Sequence, residues 1–169
     1  MYIRRVVLIG LAALTAVSGV ALAQRPYVQL GGGLGLGAWT QNAPDRSLFA
    51  VGAFAAGLQR GTVALRLDAR ILDTDDEPLL AVGVAGGVIS RRPDRPRLYL
   101  LGAAGLGSFL EEGDPASHVG AVVGLVAGRR PGFAVELRYD YLLSQFTYQS
   151  RSRHLVSAVV ALRLGALAP

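Results

Sequence analysis

The sequence predicts an all-β fold, an eight-stranded antiparallel up-and-down barrel, downstream of an N-terminal targeting segment. Strand-length apolar runs recur eight times along the chain, and each run ends in a cluster of Pro, Gly, Asp, Arg or Ser. Within the runs, large apolar residues alternate with charged or very small ones, which is the side-chain period of a strand. The chain contains no cysteine, so backbone pairing and packing must hold the fold without disulfides.

The N-terminal segment has the order of parts found in a secretory signal peptide. Arg4 and Arg5 precede an uninterrupted apolar and small-residue stretch from Val6 to Val20, and Ala-Leu-Ala follows it. The apolar stretch is shorter than the about 20 residues that a membrane-spanning helix needs. We therefore expect residues 1–23 to be cleaved during export, with a retained N-terminal anchor as the alternative, and residues 24–169 to form one domain.

The predicted strands are each about as long as a strand that crosses a bilayer at a tilt near 45°. In chain order they are Tyr27 to Trp39, Leu48 to Gln59, Thr62 to Leu72, Leu79 to Ser90, Arg97 to Phe109, His118 to Gly128, Phe133 to Leu143 and His154 to Gly165. No run reaches the 18 consecutive apolar residues typical of a helical span, so strands are the favoured membrane-crossing elements.

The first, fifth and sixth strands set large apolar residues against glycine or alanine. The residues concerned are Leu34 and Leu36 against Gly33, Gly35 and Gly37, then Leu98 and Leu100 against Ala103, Gly105 and Gly107, and Val119, Val123 and Leu125 against Gly120, Gly124 and Gly128. A soluble barrel would turn a polar face to water, and these strands have almost none. Lipid outside and a narrow, filled interior explain the small residues, which makes the predicted barrel a transmembrane one.

The third and seventh strands have one apolar face and one ionic face. Val63, Leu65, Leu67, Ala69 and Ile71 alternate with Ala64, Arg66, Asp68 and Arg70, and the odd-numbered apolar residues from Phe133 to Tyr141 alternate with Ala134, Glu136, Arg138 and Asp140. In a ring of eight, these two strands lie opposite each other and run in the same direction. Counted from the strand starts, the charged residues reach similar heights with complementary signs.

We therefore predict an ionic network across or around the lumen that closes the barrel to ion flow. Its members are Arg66, Asp68, Arg70, Glu136, Arg138 and Asp140. Pairing would avoid leaving charges without partners in a confined interior. The alternative is that these six side chains simply face a hydrated lumen.

The connections between strands alternate in length and charge. Those after the second, fourth and sixth strands are short and basic, and are Arg60-Gly61, Arg91 to Pro96 and Arg129 to Gly132. The others are mostly longer, and are Thr40 to Ser47, Asp73 to Pro78, Leu110 to Ser117 and Ser144 to Arg153. Outer-membrane barrels combine tight periplasmic turns with longer outer loops, so both termini are expected on the periplasmic side.

Aromatic residues lie near the predicted strand ends, where a membrane barrel places its interfacial girdles. They are Tyr27, Trp39, Phe49, Tyr99, Phe109, Phe133, Tyr139 and Tyr141. We expect these side chains to form a sparse girdle on the lipid-facing surface.

From Tyr27 to Leu164 the chain resembles the small outer-membrane barrel family that includes opacity proteins and the OmpA-type transmembrane domain. The resemblance depends on the glycine-rich first strand, the strand from Phe133 to Tyr141, and the closing strand from His154 to Leu164. The closing strand is similar to the terminal insertion signal of that family, with Leu164 in place of the usual aromatic residue and five further residues after it. The resemblance implies a monomeric barrel inserted by the barrel-assembly machinery.

Several other patterns have simpler structural explanations. Gly33 to Ala38 fits a loose dinucleotide-binding pattern, yet the period of two continues where that site would require a helix. The acidic run Asp73 to Glu77 is interpreted as a solvated outer loop, with a divalent-cation site as the alternative. His154 and Ser157 could suggest a hydrolase pair, but residues three apart on a strand point to opposite faces, which favours a structural explanation.

The sequence thus predicts an outer-membrane protein with a structural or surface-interaction role, and no enzymatic activity, cofactor or metal. The formal net charge of +5 comes from scattered arginines, many of them in turns, which does not indicate nucleic-acid binding. The expected partners are outer-membrane lipid and lipopolysaccharide, together with an unknown surface ligand bound by the outer loops, above all by Gln145 to Arg153. The alternatives are a lipid-modifying barrel enzyme and a soluble exported barrel that binds an apolar ligand, as lipocalins do.

Overall fold

The computed structural model describes residues 25–39, 46–73, 78–90, 96–110, 115–128, 131–144 and 151–165. Eight strands make up almost all of this part: β1 (Arg25–Trp39), β2 (Arg46–Arg60), β3 (Val63–Asp73), β4 (Pro78–Ile89), β5 (Arg97–Phe109), β6 (Pro115–Ala127), β7 (Gly132–Ser144) and β8 (Arg151–Gly165). Within the described ranges, no helix is long and apolar enough to span a membrane. The predicted signal peptide, residues 1–23, lies outside them.

The strands form one closed antiparallel barrel in chain order, with β8 pairing back onto β1. Paired residues can be followed once round the barrel from Tyr27 of β1, through Arg66 of β3 and Asp140 of β7, and the path returns to β1 at Gly37. This displacement requires the strands to tilt relative to the barrel axis, and with eight strands it leaves an interior that side chains can fill.

The predicted eight-stranded antiparallel fold is therefore confirmed, with small shifts at the strand ends. Most strands extend a few residues further than their apolar runs, because polar residues such as Arg25 and Arg60 still join the hydrogen-bonded ladder. Thr62 belongs to the β2–β3 turn and not to β3. In that turn Gly61 has φ 58°, a conformation that glycine adopts without steric cost.

Alternation along each strand separates an apolar outer surface from the interior. One outward residue from each strand is between 44% and 59% exposed: Leu34, Leu48, Leu65, Val84, Leu100, Val123, Leu137 and Val160. Their sequence neighbours point inward and are buried or small, including Gly33, Gly35, Ala64, Ala85, Leu101, Val122 and Val159. The predicted lipid-facing and interior faces thus match the observed ones.

The aromatic girdle expected at the strand ends is wrong for four of its members. Tyr27, Phe49 and Tyr99 are 2–3% exposed and lie inside the barrel, and the partly buried Phe109 packs against the interior core. Phe133 and Tyr139 face outward as expected, at 60% and 42% exposure. The reason is that a residue's odd or even position in its strand decides the face to which it points, whatever its distance from the strand end.

Candidate functional site in the barrel interior

The six charged residues predicted to line the lumen all lie inside the barrel. β3 places Arg66, Asp68 and Arg70 on its inner face, and β7 does the same with Glu136, Arg138 and Asp140. Each is between 1% and 6% exposed. The intervening apolar residues face outward, so the period of two forces the charged side chains into the interior.

Three ion pairs connect β3 with β7 across the lumen. Arg66 donates to both oxygens of Glu136, at 2.5 and 3.0 Å, and Arg70 donates to both oxygens of Asp140, at 2.8 and 3.2 Å. Arg138 Nη1 donates to Asp68 Oδ2 at 2.7 Å. Two of the three pairs are thus bidentate, the strongest arrangement of arginine and carboxylate.

Contacts within each strand join the three pairs into one network. Arg66 Nε lies 2.8 Å from Asp68 Oδ1 on β3. On β7, Arg138 Nε donates to both Asp140 oxygens at 3.0 Å. Residues two apart on a strand share a face, which is why neighbouring pairs can also meet lengthwise. The network therefore extends along the lumen and does not consist of isolated bridges.

Sequence reasoning missed three polar residues that complete this network. Gln29 of β1 donates to Glu136 Oε1 at 2.5 Å, and the Tyr99 hydroxyl of β5 donates to the same oxygen. His118 of β6 lies with Nδ1 3.4 Å from Asp140 Oδ1. Each has the inward position of its strand, so alternation alone could have placed it in the interior, although not next to a particular carboxylate.

A second interior cluster lies near the end of the barrel at which β1 begins and β8 ends. The guanidinium of Arg163 stacks over the Tyr27 ring at 3.6 Å, and its Nη2 donates to Gln59 Oε1 at 3.3 Å. Such stacking stabilises a partly desolvated cation. Tyr27, predicted to anchor the barrel in the lipid interface, instead holds an interior arginine.

The expected contact surface from Gln145 to Arg153 needs one correction. Arg153 is 2% exposed and lies in the interior within β8, so it is not a surface loop residue. Its odd position matches the other inward residues of that strand, Leu155 and Ser157. Residues 145–150 and most of the acidic run from Asp73 to Glu77 lie outside the described residues.

Within the described part of the barrel, the interior beside the ionic network offers little room for a ligand or a reaction. The space beside the network, lined by residues such as Gln29, Arg66 and Glu136, amounts to about 20 Å³. The carboxylates of Glu136 and Asp140 are both engaged by arginines. In the described ranges no group of His, Asp and Glu side chains could hold a metal ion. What the arrangement can do chemically is fill the lumen and neutralise its own charges.

The patterns discounted on sequence grounds keep their structural roles. The strand containing Gly33 to Ala38 continues to Trp39 without a helix. His154 contacts the Tyr139 hydroxyl through Nδ1 at 2.7 Å, whereas Ser157 is buried in the interior. The histidine and serine therefore lie on opposite faces of β8.

The closed ring of eight strands, with its apolar exterior and charge-filled interior, is the architecture of the small outer-membrane barrels. Among solved structures, the chain is similar to the crystal structure of Neisserial surface protein A, with a TM-score of 0.61 and 12% sequence identity over 82% of this chain and 96% of that one. At this identity the similarity concerns the fold. No protein-family model and no curated protein matches the sequence.

Proposed function

We propose that this protein is an outer-membrane barrel, exported by its N-terminal signal peptide, with a structural or surface-interaction role and no enzymatic activity. The observation that carries the proposal is the apolar band of outward side chains on all eight strands, combined with an interior filled by side chains. A water-soluble barrel would not expose so large a continuous apolar surface. The resemblance to opacity and OmpA-type barrels belongs to the same proposal.

In this proposal the barrel anchors the chain while the outer loops contact the environment. Lipid and lipopolysaccharide surround the apolar band, the barrel-assembly machinery inserts it, and a surface ligand binds the loops of a monomer. The filled interior supports this role over a lipocalin-like one, because about 20 Å³ holds at most one water molecule. A lipid-modifying activity has no support in the described residues, where the interior carboxylates are occupied by arginines.

Replacing Leu137 by Arg is expected to lower the stability of the barrel in vesicles by about 2–4 kcal/mol. Leu137 is 57% exposed near the middle of β7, where a charge would face the hydrocarbon core of the bilayer. The measurement is urea unfolding of the refolded protein in phosphatidylcholine vesicles, followed by the shift in electrophoretic mobility between folded and heated samples.

The matched control is Leu164→Arg, at the end of β8 and 52% exposed, for which a cost of about 0–1 kcal/mol is expected near the interface. In a barrel surrounded by water, both arginines would be solvated and both changes would stay within about 0.5 kcal/mol. Equal, small effects would therefore contradict the membrane placement.

The wild-type barrel is expected to show no steady conductance in planar bilayers, because the network between β3 and β7 fills the lumen. Arg138→Ser removes the side chain that bridges Asp68 and Asp140, and should open a water-filled path that conducts. Val135→Ser, on the outward face of the same strand, is the control and should remain closed. Steady conductance by the wild type would show a hydrated lumen and contradict the closed barrel.

A further inference from the structure

A small void lies in the barrel interior, beside the ionic network. Gln29 of β1, Asp68 of β3 and Arg138 of β7 line it, together with the small side chain of Ala55. The space available to the centre of a water-sized molecule is about 20 Å³. One water needs about 10–15 Å³ of such space, so the void accommodates one water and excludes larger ligands.

Two buried polar atoms on residues that line this void have no hydrogen-bond partner among the described residues. They are Gln29 Oε1 and Arg138 Nη2, on side chains of residues that are 4% and 3% exposed. A buried polar atom without a partner is costly, and native proteins satisfy nearly all such atoms. Ordered water does so where protein groups do not reach.

The other hydrogen bonds of these two side chains determine which atoms remain. Gln29 Nε2 donates to Glu136, and a carboxylate can only accept, so turning the amide round would set two acceptor oxygens against each other. Arg138 uses Nε for Asp140 and Nη1 for Asp68. The void is therefore left with one acceptor, from glutamine, and one donor group, from arginine.

We propose that this void binds a single ordered water molecule, which donates to Gln29 Oε1 and accepts from Arg138 Nη2. Water both donates and accepts, so it matches this combination of groups. The carboxylate of Asp68 lines the same void and offers an acceptor for the second hydrogen. Buried waters typically have two to four such partners.

A monovalent ion fits the void less well than a neutral ligand. The charges of the six-membered network balance, since Arg66, Arg70 and Arg138 pair with Glu136, Asp140 and Asp68. An added ion would leave one charge unbalanced in a confined interior. The carbonyl oxygen of the glutamine would also repel an anion, and the guanidinium group would repel a cation.

The water would extend the network to the first strand of the barrel. Arg138 already bridges Asp68 and Asp140 between β7 and β3. A water between Arg138 and Gln29 would add β1 to that bridge, beside the direct contact of Gln29 with Glu136. This inference depends only on contacts in the barrel interior, and does not depend on the membrane placement.

The test is a high-resolution crystal structure of the refolded full barrel. The wild type should show a water peak within hydrogen-bond distance of both Gln29 Oε1 and Arg138 Nη2. Gln29→Met removes the amide oxygen and keeps a side chain of similar length. The water should then bind about five-fold more weakly, because it loses one hydrogen bond, and its density peak should weaken accordingly.

The matched control is Gln59→Met, which changes another buried interior glutamine. Gln59 is 7% exposed and has its own partners, Arg163 and the carbonyl oxygen of Gly61, and does not line the void. The water peak should keep its wild-type height in this variant. The wild-type density alone decides whether the water is present, so the test remains valid if a variant fails to fold.

Three results would overturn the proposal. The first is a wild-type structure without the peak, including one in which Gln29 Oε1 accepts directly from Arg138 Nη2. The second is an anomalous bromide peak at the void in crystals soaked with bromide, which would show an anion site. The third is an unchanged peak in Gln29→Met, since the glutamine oxygen would then not hold the water.

Discussion

Replacing Glu136 by Leu is expected to destabilise the barrel by about 3–5 kcal/mol, the cost of removing one partner from a buried ion pair. Arg66 would lose both of its hydrogen bonds to the carboxylate while remaining 3% exposed. Gln29 and Tyr99 would lose their acceptor in the same step. Urea unfolding of the folded barrel in vesicles measures the change.

A double variant distinguishes the effect of losing the ion pair from the effect of losing side-chain volume. Arg66→Met combined with Glu136→Leu replaces the pair by apolar side chains of similar size and should recover part of the lost stability, while Gln29 and Tyr99 still lack their acceptor. The control Val135→Ala, on the outward face of β7, should cost much less, since it removes no partner from a buried charge. A loss below about 0.5 kcal/mol for Glu136→Leu would favour the alternative of a hydrated lumen.

Replacing Gly33 by Ala is expected to cost about 3 kcal/mol or prevent folding, because a Cβ at this position has no room against the paired strand. A Cβ on Gly33 would overlap the carbonyl oxygen of Ala158 and would lie 2.8 Å from the Cα of Val159. Both neighbours are backbone atoms of β8, which pairs with β1 to close the ring. Accommodating the added methyl group therefore requires the backbones of β1 and β8 to move apart.

Gly52→Ala, on the neighbouring strand β2, is the matched control for Gly33→Ala. Gly52 is exposed on β2, and a Cβ there would meet no atom within 4 Å. Alanine is better suited than glycine to a strand interior, so this change should be neutral or stabilising by up to about 1 kcal/mol. The fraction that folds into vesicles and the urea midpoint check both variants. Equal folded fractions and equal urea midpoints for the two variants would contradict the close approach of β8 to Gly33.

Most of the fold could be predicted because two patterns mark each strand in the sequence. One is the alternation of its side chains, and the other is the turn residues that end it. Leu34 and Leu36 against Gly33 and Gly35 define the faces of β1 without any knowledge of its neighbours. Strand ends were less accurate, as at Thr62, because hydrogen-bonded pairing continues or stops according to the partner strand. That partner is not encoded in the local pattern.

The ionic site was predictable for a related reason. β3 and β7 each carry three charged residues at alternate positions, and both strands run in the same direction on opposite sides of the ring. Their complementary order brings Arg66 to Glu136, Asp68 to Arg138 and Arg70 to Asp140. Because the spacing is equal along two strands that run in the same direction, the other two pairs also meet once one pair is in register.

The sequence by itself determined the number of strands, the face to which each residue points, and the charge order of the lumen. Only the tertiary structure decided that Tyr99, Gln29 and His118 join the network, and that Tyr27 stacks against Arg163. The physical reason is that alternation specifies a direction, inward or outward, for every side chain. Contacts across the lumen depend instead on strand tilt and on the displacement of register round the closed sheet, which no single strand encodes.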